Sequence, residues 1–240
     1  MNEYNEKDEF NRWHRALRLH RLDTRRVTAA RIAGPGFLAL LRLVLFAYTL
    51  TVWISAIVYD AQHGAMSGHF AYFTYLCYTG LVAYFASALV HTASACRGRA
   101  TFTRMPRVLR LLHWLLFESV LVYAVVVSVL FWAVLYDAQA YAGGRHRWLN
   151  ASVHAGNVAG IMVDAAAGGM ALSGHWSHML ALEAVALAYV ALAYVNRAAN
   201  GWFVYGFLDY ERLGWRVLGI IVGLLAALAV IYYVLPTISR

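Results

Sequence analysis

Charge is scarce in this chain: Asp, Glu, Lys and Arg make up 13% of its 240 residues, against roughly 25% in soluble domains. That deficit excludes an ordinary water-soluble globular domain. Lysine is almost missing, since all but Lys7 of the 20 basic residues are arginine; no lysine lies within an apolar run, which excludes a retinal-type Schiff base in the membrane. Only two cysteines occur, Cys77 and Cys96. They fall in one apolar run about 19 residues apart, or roughly 28 Å along a helix, too far to bridge each other. Neither paired cysteines nor an H-E-x-x-H pattern is present, so a zinc site has no recognisable ligand set. The three prolines, Pro35, Pro106 and Pro236, sit at or near the ends of apolar runs and leave their interiors unbroken. There is no internal repeat, low-complexity tract or interdomain linker.

What fills the chain is hydrophobic residues, 62%, with 15% aromatics. Crossing a hydrocarbon core of about 30 Å takes about 20 helical residues. Runs of that kind fall at roughly 37–59, 71–95, 108–135, 148–172, 176–198 and 214–236. The predicted fold is therefore all-α: a polytopic membrane protein built as a bundle of six transmembrane helices. It divides into a basic N-terminal segment (1–36), a six-helix domain (37–236) and a short tail (237–240). The first run is too long for a signal-peptide core and lacks a small-residue cleavage pattern after it, so it reads as a retained span.

Arginine is distributed unevenly. Arg12, Arg15, Arg18, Arg21, Arg25, Arg26 and Arg31 precede the first run, and Arg97, Arg99, Arg104, Arg107 and Arg110 lie between the second and third. The first connection has none. The positive-inside rule then predicts both termini on the cytoplasmic side of an integral membrane protein, with the membrane itself undetermined. Because topology alone accounts for the net charge of +8, nucleic acid is not the expected partner. Anionic lipid headgroups are, and "RWHRALRLHRL" mixes arginine with Trp13, Leu17 and Leu19 as an interfacial helix would. A solvated basic tail fits the same letters.

One apolar run carries groups that are costly in lipid. "WLNASVHAGNVAGIMVD" places Asn150, His154, Asn157 and Asp164 on one helical face. Gly156, Gly160, Gly168 and Gly169 would let another helix approach, marking this fourth span as central. Asn150-Ala151-Ser152 matches the glycosylation pattern, but at the membrane edge Asn150 reads as structural or site-related. The topology puts Thr74 and His154 at a matching depth, roughly 5–9 Å below the non-cytoplasmic surface. A hydroxyl and an imidazole so matched suit a nucleophile and its general base. The same pair fits a threonine bonded to its own helix and a histidine bonded to a backbone carbonyl.

Three segments, "YFTYL" (Tyr72 to Leu76), "WLNASVHAGN" (Trp148 to Asn157) and "NGWFVYGFLDY" (Asn200 to Tyr210), resemble in order and spacing the signature regions of the androgen-induced protein family. That family takes in the androgen-dependent TFPI-regulating proteins and is related to the rolling stone-like six-span proteins. The resemblance implies a threonine hydrolase of lipid esters, specifically fatty acid esters of hydroxy fatty acids, with Thr74 as nucleophile and His154 as base. No cofactor is implied. Two departures, Tyr75 directly after Thr74 and Gly206 where a proline is common, bear on the substrate more than on the reaction. The rolling stone side of the resemblance implies instead a non-enzymatic membrane scaffold or adhesion factor, in which the polar stripe only holds helices together.

The remaining polar groups suggest supporting roles. Asp209 could orient His154 or remain a solvated loop acid. Asn150 and Asn157, one turn either side of His154, could hold its tautomer, donate to an oxyanion, or bond between helices. Asp164 lies about 15 Å beyond His154 and cannot touch it. Intramembrane acids are usually paired, so Glu118, Asp164 and Glu183 are expected in a deeper cluster with His91 or His178, or as neutral structural groups. A six-span b-type cytochrome would need histidine pairs at equal depth on alternate spans. His113 and His178 match; His91 and His154 do not.

Overall fold

The computed structural model describes residues 24–137 and 143–238. The arginine-rich stretch expected as an interfacial helix lies outside the described residues, as does the end of the tail. Within them the chain is helical, with one isolated antiparallel bridge between Ala30 and Gly168.

Long apolar runs form helices because each backbone N–H and C=O must be satisfied within its own segment in lipid. These are α1 (Gly34–Gln62), α2 (Phe73–Cys96), α3 (Arg107–Leu130, continued by a π turn at Phe131–Leu135), α5 (Trp176–Asn200) and α6 (Arg216–Ile238). All five are long and apolar enough to cross a membrane. The expected fourth span differs. Here α4 is a composite of Gly144–Ala151, a π turn at Ser152–Gly156, and Asn157–Ala167. Its first turns carry Arg145, His146 and Arg147, and it stops five residues before the predicted end at 172, so by length and apolarity five helices qualify, not six.

The early stop has a cause. After Ala167 the chain turns extended and is crossed by the segment preceding α1, where the Arg31 amide donates to the Ala167 carbonyl at 2.8 Å. Gly169 permits the crossing: a Cβ there would lie 2.9 Å from both the Ala29 Cβ and the Arg26 carbonyl oxygen. Gly168 and Gly169 thus admit an extended segment rather than a helix. Gly160 faces Leu45 of α1 and Phe85 of α2, as a helix-contact glycine would.

The central helix is α3, not the fourth span that its glycines had suggested. Of its most apolar window 61% is buried, against 17–28% in the other four qualifying helices, and it packs against α2, α4, α5 and α6. Glycine allows close approach but does not by itself draw neighbours. The apolar face of α3, including Trp114, Phe117, Leu121 and Val122, supplies the area that does.

The buried acids resolve into two separate pairs instead of one cluster. Arg42 of α1 donates through Nε to Asp164 Oδ1 at 2.7 Å and through Nη2 to Oδ2 at 3.3 Å. Its Nη1 donates to the Val27 carbonyl at 2.6 Å and to Thr92 at 2.5 Å, while Tyr84 donates to Asp164 at 2.6 Å. Glu118 of α3 pairs with His178 Nδ1 of α5 at 2.6 Å and accepts the Ser173 amide at 2.5 Å. Glu183 belongs to neither pair and is half-buried. An isolated buried charge is costly, so each acid is found with a cation or donor set that matches it.

Candidate functional site

Both Thr74 and His154 lie at the end of the bundle opposite these pairs. Thr74 is the second residue of α2, and what precedes that helix fixes its depth. In the short 3-10 helix Met66–Ala71, His69 Nδ1 meets Asp60 of α1 at 2.6 Å, and its ring stacks on Tyr75 with centroids 4.0 Å apart. That segment is therefore tied to both α1 and α2.

His154 sits inside the π turn of α4. Opposite it is the π turn of α3, and the two meet ring on ring: Phe131 stacks on His154 at 3.5 Å with planes 2° apart. A π turn adds a residue to the helical ladder and redirects the side chains around it; such turns concentrate at functional sites. Ser128 donates its hydroxyl to the His154 carbonyl. The imidazole Nδ1 is buried with no hydrogen-bond partner.

The third segment closes the site from above. Gly201 ends α5 with φ of 80°, the left-handed conformation that glycine adopts freely. The chain then folds back over the start of α2. Trp202 covers Gly68 closely enough that a Cβ there would come within 3.3 Å of its ring. Tyr205 reaches inward, where its hydroxyl lies close to those of Thr74 and Tyr189; the Tyr189 hydroxyl donates to the Ala71 carbonyl at 3.0 Å.

These elements line a cavity of about 90 Å³ whose walls are mainly apolar, including Val126, Leu130, Leu224, Leu225 and Leu228. An outer vestibule of about 290 Å³, lined also by Tyr72, Asn150, Val204 and Gly206, lies against it. The two spaces share Thr74, Phe131, Leu135, His154 and Tyr205. Thr74 and His154 therefore line one neck between an apolar chamber and a more polar opening, although no direct hydrogen bond joins them among the described residues.

The expected supporting residues have other partners. Asn150 borders the vestibule but donates to the His146 carbonyl one turn back at 3.0 Å. Asn157 accepts the Val158 amide at 2.7 Å and the Ser128 hydroxyl at 3.5 Å, which ties α4 to α3. Asp209 accepts the Arg212 amide at 3.0 Å as the N-cap of a one-turn helix, Tyr210–Leu213. None of the three bonds to the imidazole; the Phe131 face orients it instead. The stripe on α4 thus divides into a group bonded within its own helix, a site residue, an interhelical link and one half of an ion pair.

Sequence reasoning missed Phe131, Tyr205, Tyr189 and Arg42. Tyr205 was within reach, as one of two tyrosines, with Tyr210, in a segment already marked as a signature and predicted to lie beside Thr74's end of the bundle. Phe131 and its π turn leave no sequence signal. The histidines do not pair as a haem protein requires: His91 meets His113 edge to face at 5.6 Å, and His178 is committed to Glu118. Among the described residues no three metal-ligating side chains converge.

No curated relative and no solved structure matches the chain. A family profile described as FAR-17a/AIG1-like protein matches residues 39–239, from the first turns of α1 to the end of α6, and so covers every element that builds the site. The chain belongs to the FAR-17a/AIG1-like family, the androgen-induced protein family that its three signature segments resemble.

Proposed function

We propose that this chain is a six-span intramembrane hydrolase of lipid esters, with Thr74 as nucleophile and His154 as general base. The observation that carries the reading is the shared neck: a hydroxyl and an imidazole whose buried Nδ1 has no hydrogen-bond partner border both an apolar chamber and a polar vestibule. An ester linkage held there would have its acyl chain in the chamber and its carbonyl beside Thr74. Family membership favours fatty acid esters of hydroxy fatty acids as the substrate.

In the proposed reaction the Thr74 hydroxyl attacks the ester carbonyl as His154 takes its proton, giving a tetrahedral oxyanion. Tyr205, an O–H donor beside Thr74, is suited to bond that oxyanion. Collapse expels the alcohol, which regains the proton from His154 and leaves an acyl-threonine. Water, activated by the same imidazole, then releases the acid and restores the hydroxyl. No metal or cofactor takes part in any of these steps.

The proposed topology has α4 as a sixth span and both termini cytoplasmic, because the arginine-rich connections then share one side. The neck consequently opens to the non-cytoplasmic surface, and the basic N-terminal segment meets anionic headgroups. Labelling by a fluorophosphonate tests the mechanism. Wild type and Thr74→Ser should be labelled at residue 74, and Thr74→Ala should not. A well-folded Thr74→Ala that hydrolyses esters at the wild-type rate would move the reading to a membrane scaffold.

A further inference from the structure

A second trough lies outside the chamber, on the flank of the bundle between α2, α3 and α5. It measures about 420 Å³ and is lined by Leu76, Cys77, Gly80, Val120, Ala188 and Leu192. Its inner wall is the chamber's outer wall, since Phe73, Tyr123 and Tyr189 border both spaces. The Phe73 ring fills the gap between the two tyrosines, 5.2 Å from Tyr123 and 4.6 Å from Tyr189.

The three panels of this wall are held differently. The Tyr123 hydroxyl donates to the Leu182 carbonyl at 2.5 Å and the Tyr189 hydroxyl to the Ala71 carbonyl at 3.0 Å, so a polar bond fixes each at its far end. Phe73 has no polar atom in its side chain with which to make such a bond. It is the one of the three panels held by packing alone, and it directly precedes Thr74 in the chain.

We propose that this trough binds one hydrocarbon chain of a membrane lipid ester or fatty acid, and that Phe73 is the gate through which the chain passes between the bilayer and the chamber. Depth and lining both favour such an occupant. Leu76 to Gly80 lie about 3–9 Å deeper along α2 than Thr74, toward the bilayer centre. The walls are aliphatic and aromatic, with the Cys77 thiol and the Ser119 hydroxyl besides the two tyrosines already bonded at their far ends. A peptide would leave its backbone unsatisfied against such walls, whereas a hydrocarbon chain loses nothing. Continuity with the chamber makes the trough a route rather than an isolated groove.

The consequence for turnover rests on the hydrolase reading, but occupancy does not, so the test has two arms. In the first, full-length protein in phosphatidylcholine nanodiscs is irradiated with a long-chain fatty acid bearing a mid-chain diazirine. Crosslinks should concentrate on 76–80 and 185–192 and fall about fivefold in Cys77→Phe, which fills the trough with a larger side chain. Crosslinks spread evenly over the lipid-facing helices, or unchanged in Cys77→Phe, would overturn the proposal. Should that variant fail to fold, alkylation of Cys77 by a bilayer-soluble maleimide in a Cys96→Ser background replaces it: added oleate should slow the reaction several-fold, and no protection overturns the idea. The second arm compares esters by chain length. Long-chain hydrolysis should drop about tenfold in Cys77→Phe while a short water-soluble ester, admitted through the vestibule, stays within about twofold. Equal loss for both would sink the gate. If wild type turns over neither ester, the hydrolase reading fails and the first arm alone decides the trough.

Discussion

Two sets of buried polar side chains, one toward each end of the bundle, are met in opposite ways. At the end where α1 begins, Arg42 spends its donors on Asp164, Val27 and Thr92, and Asp164 receives a further bond from Tyr84. Glu118 is likewise met on both oxygens, by His178 and the Ser173 amide. At the other end His154 keeps a buried nitrogen without a partner and stacks on a hydrocarbon ring. A fully satisfied polar group has no capacity left for a ligand, and its removal exposes its partners to the whole desolvation cost. A group left with capacity contributes little to the fold, but it has something to offer a substrate. The contrast explains why two acids in one membrane domain read as structural while one threonine and one histidine are proposed as chemical.

The sharpest way to break this comparison is to mutate both ends and measure activity and stability separately. Thr74→Ala and His154→Ala should each lower ester hydrolysis by about 10²- to 10⁴-fold, with unfolding in detergent little changed and the double variant scarcely worse than either single. A large fall in stability would place them with the structural groups instead. The opposite pattern is expected at the other end. Arg42→Leu or Asp164→Leu should destabilise the bundle by about 3–5 kcal/mol, because each leaves a buried charge unpaired. Arg42→Leu with Asp164→Leu should recover most of that loss, since an apolar pair carries no stranded charge. Chemical denaturation of the purified variants reads both effects.

Two smaller effects sharpen the boundary within the site. Tyr205→Phe should lower the rate about tenfold, the value of one hydrogen bond to a charged oxygen, while leaving substrate affinity near wild type. A purely structural tyrosine would shift the melting temperature rather than kcat. Asp209→Ala should cost about 1 kcal/mol of stability by removing a helix cap and should leave hydrolysis intact. A rate loss beyond about tenfold there would return Asp209 to the role of orienting His154.

Much of the site was legible because depth in a membrane is a one-dimensional quantity. Once arginine bias gives each helix a direction, counting residues from its end gives the depth of a side chain at 1.5 Å per residue. Thr74 and His154 were matched in this way without any tertiary information. The method gives no rotation about the helix axis and no partner. It grouped Glu118, Asp164 and Glu183 together, whereas rotation sends two of them to different partners, His178 and Arg42, and leaves the third out. It also passed over Arg42, the cation that Asp164 needs, because a lone arginine in the first turns of an apolar run resembles the basic flank beside it.

By itself the sequence determined that the chain is a helical membrane protein of the androgen-induced family, and which residues stand at which end. Apolar length and backbone hydrogen bonding leave no other form in lipid. The tertiary structure alone decided that α3 is the axis of the bundle, that α4 stops at Ala167 under the crossing N-terminal segment, and that two π turns bring Phe131 onto His154. Those features depend on which surfaces meet, and a pattern read along one chain carries no record of the neighbour each face will find.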